Sequence, residues 1–341
     1  MDWPTNTGIF DLGDLPLDSG SALPGARLSW KTHGTLSPTR DNAILYPTSY
    51  GAQHGEVEWL IGPDGVLDPT RWFVIQVDQF GNGLSTSPST AADYPALVTV
   101  ADNVRAQARL LDAWGIPHLA CVYGWSMGAL QAYHWAALFP DRVARIVVNC
   151  GVARTAVHNQ VFMAGLMAIL EAAPEWQGNG RFSAEPRATL RAFARIYAGW
   201  ALSQDFYRAG LHLAAPAQGG LGAPDLEGFL VDGWERRYDH KPAANLYAQL
   251  HTWFNADISG AIPGGGDLPA ALRRITARVL LLPGETDLYF RIADNVAELP
   301  HLAHAELRPI PSIWGHRAGN PVQNPADQAF LRQAVHRWLD T

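Results

Sequence analysis

Short apolar runs that recur with helical stretches between them constrain this chain more than any other feature. ARLSWKTHGTL (26–36) reads as an early strand, AILY (43–46) as a buried one and WFVIQVD (72–78) as a third. HLACVYG (118–124) and RIVVNCG (145–151) follow. Between them, VADNVRAQARLLDAWG (100–115) sets Val104, Ala108, Leu111 and Ala113 on one helical face. Strands that are apolar on both sides and separated by helices predict an α/β fold with a mainly parallel sheet covered on both faces. From about 152 to 274 the texture changes. Helical segments such as RATLRAFARIYAGWALSQDFY (187–207) and NLYAQLHTWFNAD (245–257) dominate, broken by Gly/Pro-rich joints at 216–224 and 261–269. The sheet pattern then returns with ARVLLLPGETD (277–287) and AELRPIPS (305–312), and a last helix covers about 325–339. The expected organisation is a core of residues 1–151 and 275–341 with a helical lid, 152–274, inserted over the sheet's C-terminal edge, where open sheets of this kind place their ligands.

The segment YGWSMGALQAYHWA (123–136) holds Ser126 between two glycines at G-x-S-x-G spacing. Five residues alone are a frequent coincidence. Here a strand candidate enters the motif and a helix candidate leaves it, which is the context of a nucleophile elbow. Gly124 and Gly128 leave room for the turn, and the helix start places the Met127 N–H and a positive dipole end beside the hydroxyl. A serine hydroxyl is a weak nucleophile near neutrality, so a base must assist it. On an elbow of this kind the order along the chain is Ser, then Asp or Glu, then His. VLLLPGETDLYF offers Asp287, with Glu285 as the fallback, and RPIPSIWGHRAGNP offers His316. The oxyanion hole combines the Met127 N–H with one from the YPTSYG loop (46–51), Ser49 first and Thr48 second.

Composition excludes several other classes. The 341 residues are 48% apolar and 17% charged, with a net charge of −7, which speaks against a nucleic-acid partner or an anionic membrane surface. No apolar run approaches the roughly 20 residues of a membrane-spanning helix, and MDWPTNTGIFDLGD lacks the basic-then-apolar pattern of a signal peptide. The expected location is therefore the cytoplasm. Cys121 and Cys150 lie in strand-like runs and read as buried thiols rather than a disulfide. His301-x-x-His304 has no further donor at ligand spacing, so no metal is expected. QFGNGLS (79–85) neither opens a helix nor has dinucleotide spacing, and reads as a turn beside the pocket.

Over almost its whole length the chain resembles the α/β-hydrolase superfamily and, within it, the homoserine O-acetyltransferase family. The resemblance is carried by GWSMGALQAYHWAALFPDRV, EWLIGP…LDPTRWFVIQVDQFGNGLS, ADIS (256–259), the GETD loop and the GHRAG loop. It implies that Ser126, Asp287 and His316 form a triad, and that the helical block is a lid that takes part in dimerisation. Two departures bear on activity. Where the transferases of the family have Gly-His-Asp, the aspartate holding the substrate ammonium, this chain has Gly315-His316-Arg317. Where they carry an arginine and, seven residues on, a tyrosine near the substrate carboxylate, this chain has Arg195 and Leu202. An arginine in place of the aspartate repels an ammonium, so the resemblance points to the members that hydrolyse esters.

The aromatic residues Tyr50, Trp125, Trp200 and Phe290, with Thr48, Arg195 and Arg317, complete the expected pocket, and Trp59, Trp253 and Trp314 lie near its rim. The expected function is a serine esterase for small carboxylic esters, with no cofactor. The alternative on the same residues is acyl transfer to an alcohol, with acetyl-CoA as co-substrate.

Overall fold

A computed structural model describes residues 3–340 except 263 and 265. The masked pair falls in the expected 261–269 joint, so that part of the joint lies outside the described residues. One eight-stranded sheet runs through the molecule: β1 (Thr5–Pro16), β2 (Ala22–His33), β3 (Ala43–Pro47), β4 (Phe73–Val77), β5 (Cys121–Trp125), β6 (Arg145–Asn149), β7 (Arg278–Leu282) and β8 (Ala305–Leu307), in spatial order β1-β2-β4-β3-β5-β6-β7-β8. β1 and β2 pair antiparallel, as do β2 and β4, and all later pairs are parallel. The expected α/β class holds.

Alternation along the central strands builds two cores. Ile44, Tyr46, Tyr123, Val147 and Leu280 face one side, and Leu45, Val122, Ile146, Val148 and Leu281 the other. The second face is covered by α1 (Val100–Ala113) and by Ala129, Ala132 and Tyr133 of α2 (Met127–Leu138). Ala113, expected on the inner face of α1, is exposed, because the helix ends there and Trp114 takes the cap.

Residues 152–274 contribute helices but no strand of the sheet among the described residues. Phe162 and Met163 of α3 (Val157–Glu171), Phe193 of α4 (Arg187–Ala201) and Trp253 of the helix Ala243–Phe254 share one continuous core with the first sheet face. This segment is therefore packed onto the sheet without a core of its own.

The junction between sheet and segment is polar and buried. The Glu298 carboxyl accepts the Ala153 N–H at 2.7 Å, the Tyr133 hydroxyl at 2.7 Å and Asn295 Nδ2 at 2.9 Å. Burial nevertheless pushes it up from 4.5 to about 7. A carboxyl whose folded pKa exceeds its unfolded value favours the fold while protonated. Its contribution is complete below about 4.5 and is lost as pH rises through 7, a change of about 3 kcal/mol. Asp327, pushed by burial to about 6, acts in the same direction. Denaturant stability is thus expected to decline from pH 5 to 8 and to decline less in Glu298→Gln. Parallel pH profiles for the two proteins would refute this assignment.

Candidate active site

The four loops that follow β3, β5, β7 and β8 leave the same edge of the parallel sheet, and carry Ser49, Ser126, Asp287 and His316 respectively. After β5 the chain reverses at Ser126, whose φ of 57° and ψ of −124° lie where a side chain costs about 1–3 kcal/mol. Two sets of contacts hold that conformation. The Ser126 N–H donates to Asn149 O at the end of β6, 3.0 Å away, and Ser126 O accepts the Ala129 and Leu130 N–H at 2.8 and 3.2 Å. Glycines permit the approach: a Cβ at Gly124 would lie 2.1 Å from Gly128 O, and one at Gly128 would lie 2.7 Å from Pro47 O. α2 opens at Met127, so the Met127 N–H is one of the donors that a helix start leaves without an intrahelical partner.

Past β7, Asp287 is fully buried. Its Oδ1 accepts the N–H groups of Tyr289 and Phe290 at 2.7 and 3.2 Å, and its Oδ2 accepts His316 Nδ1–H at 2.8 Å. Glu285, the fallback acid, is exposed, and its carboxylate makes no hydrogen bond to His316. The imidazole of His316 is clamped by rings: Trp125 stacks on it at 5.2 Å, Tyr289 meets it edge-on at 4.8 Å and Phe290 lies 5.5 Å away. Thr286, which sequence reasoning passed over, ties the two loops. Its hydroxyl donates to Ser312 O at 2.9 Å and accepts the Gly315 N–H at 3.1 Å.

The loop after β3 separates the two oxyanion candidates. Thr48 N–H donates to Val77 O at 3.0 Å and is committed, whereas the Ser49 N–H has no protein acceptor among the described residues. The loop is also held from residues 241–249: Gln249 Oε1 accepts the Gly51 N–H at 2.6 Å, and the Tyr50 hydroxyl donates to Leu246 O at 3.2 Å.

Ser126 and His316 open onto one small cavity of about 50 Å³. Ser49 of the expected oxyanion hole lines it, and so do Tyr50, Trp125 and Arg317 of the expected pocket residues. Four others do not. Thr48 is buried beneath the loop, and Phe290 lies behind the imidazole, stacked on Trp253. Trp200 packs on Phe162 and Tyr289. Arg195 points outward and pairs with Glu227 and Glu235, so it is an ion-pair residue of the helical segment. Tyr197, Trp234 and Arg237 supply the wall instead. The guanidinium groups of Arg317 and Arg237 have no carboxylate or hydrogen-bond partner among the described residues, and burial together with the Arg237 charge pushes Arg317 down to about 10. No carboxylate lines this cavity.

A wider cavity of about 490 Å³ adjoins it, sharing Gly51, Arg237 and Lys241. Gly81, Asn82 and Gly83 of the expected turn lie in its wall. That turn is organised by buried Asp78, which accepts from Ser29 Oγ, His54 N–H, His54 Nδ1–H and Asn82 Nδ2 at 2.6–2.9 Å. Both cysteines are buried free thiols. Cys150 lies near Asp287 and His316, the one trio of metal-capable side chains within 4.8 Å among the described residues. Burial pushes the Cys150 thiol well up, and a cation there would compete with the Asp287–His316 hydrogen bond, so the trio suits the dyad better than a metal. No helix of the described residues is long and apolar enough to cross a membrane.

Residues 54–312 match the family described as the alpha/beta hydrolase fold. An ethyl acetate hydrolase of Pseudomonas veronii is 36% identical over 323 residues, covering 91% of this chain and 90% of that one. A homoserine O-succinyltransferase of Paraburkholderia xenovorans is 31% identical over 341 residues, covering 89% of each. The solved structure of the acetyl esterase MekB matches with a TM-score of 0.89 at 31% identity, over 97% of both chains.

Proposed function

We propose, for a chain that belongs to the α/β-hydrolase family, a carboxylic ester hydrolase that acts on small esters through an acyl-enzyme intermediate. The observation that carries this reading is the strained Ser126 sharing one cavity with His316, whose Nδ1–H is held by buried Asp287 at 2.8 Å. His316 takes the Ser126 proton as Oγ attacks the ester carbonyl. Asp287 fixes the tautomer and steadies the imidazolium. The Met127 and Ser49 N–H groups hold the negative oxygen of the tetrahedral intermediate. Collapse of that intermediate expels the alcohol, which leaves with the proton from His316. Water then adds to the acyl carbonyl as His316 takes its proton, and His316 returns that proton to Ser126 Oγ as the acid leaves. The reaction requires only ester and water. A cavity of about 50 Å³ walled by Tyr50, Trp125 and Trp234 favours short acyl groups, and an ethyl acetate hydrolase and an acetyl esterase are among the relatives.

Transfer from acetyl-CoA to homoserine fits less well. Arg237 and Arg317 face the cavity where an ammonium would need a carboxylate. A paired assay tests the choice. Purified protein is expected to hydrolyse ethyl acetate and p-nitrophenyl acetate, while acetyl-CoA consumption stays the same with or without L-homoserine. Homoserine-dependent CoA release exceeding ester turnover would reverse the assignment.

A further inference from the structure

Behind the Thr48–Ser49 peptide, three buried side chains form one hydrogen-bonded line. Trp135 Nε1–H donates to Gln107 Oε1 at 2.8 Å, Gln107 Nε2–H to Gln131 Oε1 at 2.6 Å, and Gln131 Nε2–H to Thr48 O at 3.0 Å. The same Gln131 amide reaches Met127 O at 3.5 Å. None of the three side chains is more than 1% exposed. The direction of the line is fixed at its far end. An indole N–H can only donate, so Gln107 turns its oxygen to Trp135 and its NH₂ to Gln131, which then has only its NH₂ left for Thr48 O.

A trans peptide is planar, and its C=O and N–H point in opposite directions. Holding Thr48 O therefore sets the direction of the Ser49 N–H. The other polar groups of Thr48 are committed as well: its N–H goes to Val77 O, and its Oγ1 accepts the Gln79 N–H at 3.0 Å. Packing alone does not call for amides here, since burying polar groups between α1 and α2 costs desolvation that leucine or methionine would avoid. The line ends on the one carbonyl whose peptide partner is the candidate oxyanion donor.

We propose that Gln131 is a positioning residue that aims the Ser49 N–H at the oxyanion, with Gln107 and Trp135 fixing the Gln131 carboxamide. The proposal rests on the esterase reading above. Negative charge develops on the carbonyl oxygen only as Ser126 adds, so a misaimed donor slows the chemical step and leaves binding of the neutral ester little changed.

The test uses the intact protein with Gln131→Met and Gln107→Met. End-point labelling of Ser126 with a fluorophosphonate counts functional sites, and kcat, KM and inhibition by methylboronic acid, which forms a tetrahedral adduct, are measured per labelled site. For Gln131→Met the expected result is a kcat about 100-fold lower with KM within about twofold, and boronate inhibition weakened in parallel. Gln107→Met, which leaves Gln131 in place without its orienting partner, is expected to lose about tenfold in kcat by the same route. If Gln131→Met does not fold, Gln107→Met decides. A purely structural role would lower the melting temperature and the labelled fraction but leave kcat per labelled site unchanged, and that result in an otherwise active enzyme overturns the proposal alone. A wild-type protein without ester turnover overturns it together with the esterase reading.

Discussion

Asp287→Asn is expected to lower kcat on p-nitrophenyl acetate by about 10⁴-fold while the fold stays intact. The geometry dictates which way the new amide sits. Two backbone N–H groups, from Tyr289 and Phe290, already point at Oδ1. An asparagine keeps its oxygen there, because turning its NH₂ toward a donor 2.7 Å away would set hydrogens against hydrogens. Its NH₂ then faces His316 Nδ1 and donates to it. The imidazole is forced to carry its own proton on Nε2, the nitrogen that must accept the Ser126 proton, and the base is lost without any movement of atoms. Melting temperature and circular dichroism should remain near wild type, since the replaced group is isosteric. Glu285→Gln, changed two residues away on an exposed side chain, serves as the control and should retain full activity. A loss in Asp287→Asn smaller than about tenfold would mean that the tautomer is set by something other than this carboxylate.

How much of this site the amino-acid order reveals depends on the origin of each constraint. β3 to β7 were legible because a strand buried on both sides reads as a near-continuous apolar run, and that signal is local. β1 was missed for the opposite reason. It is an edge strand paired only to β2, most of its residues are exposed, and TNTGIFDLGDLP has no apolar run to read. The triad candidates were legible through their placement after successive strands, which the sheet topology converts into proximity. The cavity wall was not. Arg195 and Tyr197 are two positions apart on α4, hence on opposite faces of a helix at about 100° per residue. The tyrosine faces the cavity and the arginine faces solvent. The stripe Leu190, Phe193, Ala194, Tyr197 and Ala198 marks the inward face at helical spacing and leaves Arg195 off it, but the stripe does not say whether Tyr197 ends in the core or in the cavity wall. The same holds for Trp200 and Phe290. Their aromatic character fits a pocket or a core equally well, and the packing assigns them to the core.

Gly124→Ala is expected to be strongly damaging for a single added methyl group. The added Cβ would sit 2.1 Å from Gly128 O, 2.3 Å from Gly128 C and 2.5 Å from Ala129 N. All three are backbone atoms of the first turn of α2, so no side-chain rotation relieves the overlap. Relief requires α2 to move away from β5, and α2 is buried along almost its whole length, with Ala129, Ala132 and Tyr133 in one core and Met127 and Leu130 in the other. Lifting it would open gaps on both sides of the sheet, a loss of roughly 4 kcal/mol or more. For a chain of this length that corresponds to a fall of about 5 °C or more in melting temperature. Activity should fall further than stability, because the same displacement moves Ser126 and the Met127 N–H relative to His316. Gly128→Ala separates the two effects. Its Cβ would meet a single backbone oxygen, Pro47 O, at 2.7 Å, so a shift of the β3 loop relieves it at smaller cost to the core. That loop carries Thr48 and Ser49. Gly128→Ala is therefore expected to keep more of its stability than Gly124→Ala and still lose most of its esterase activity. Thermal melts and kcat measured side by side on the two variants check this. A Gly128→Ala protein with wild-type kcat would show that the β3 loop can move without disturbing the oxyanion site, and would remove the reason for placing the Ser49 N–H there.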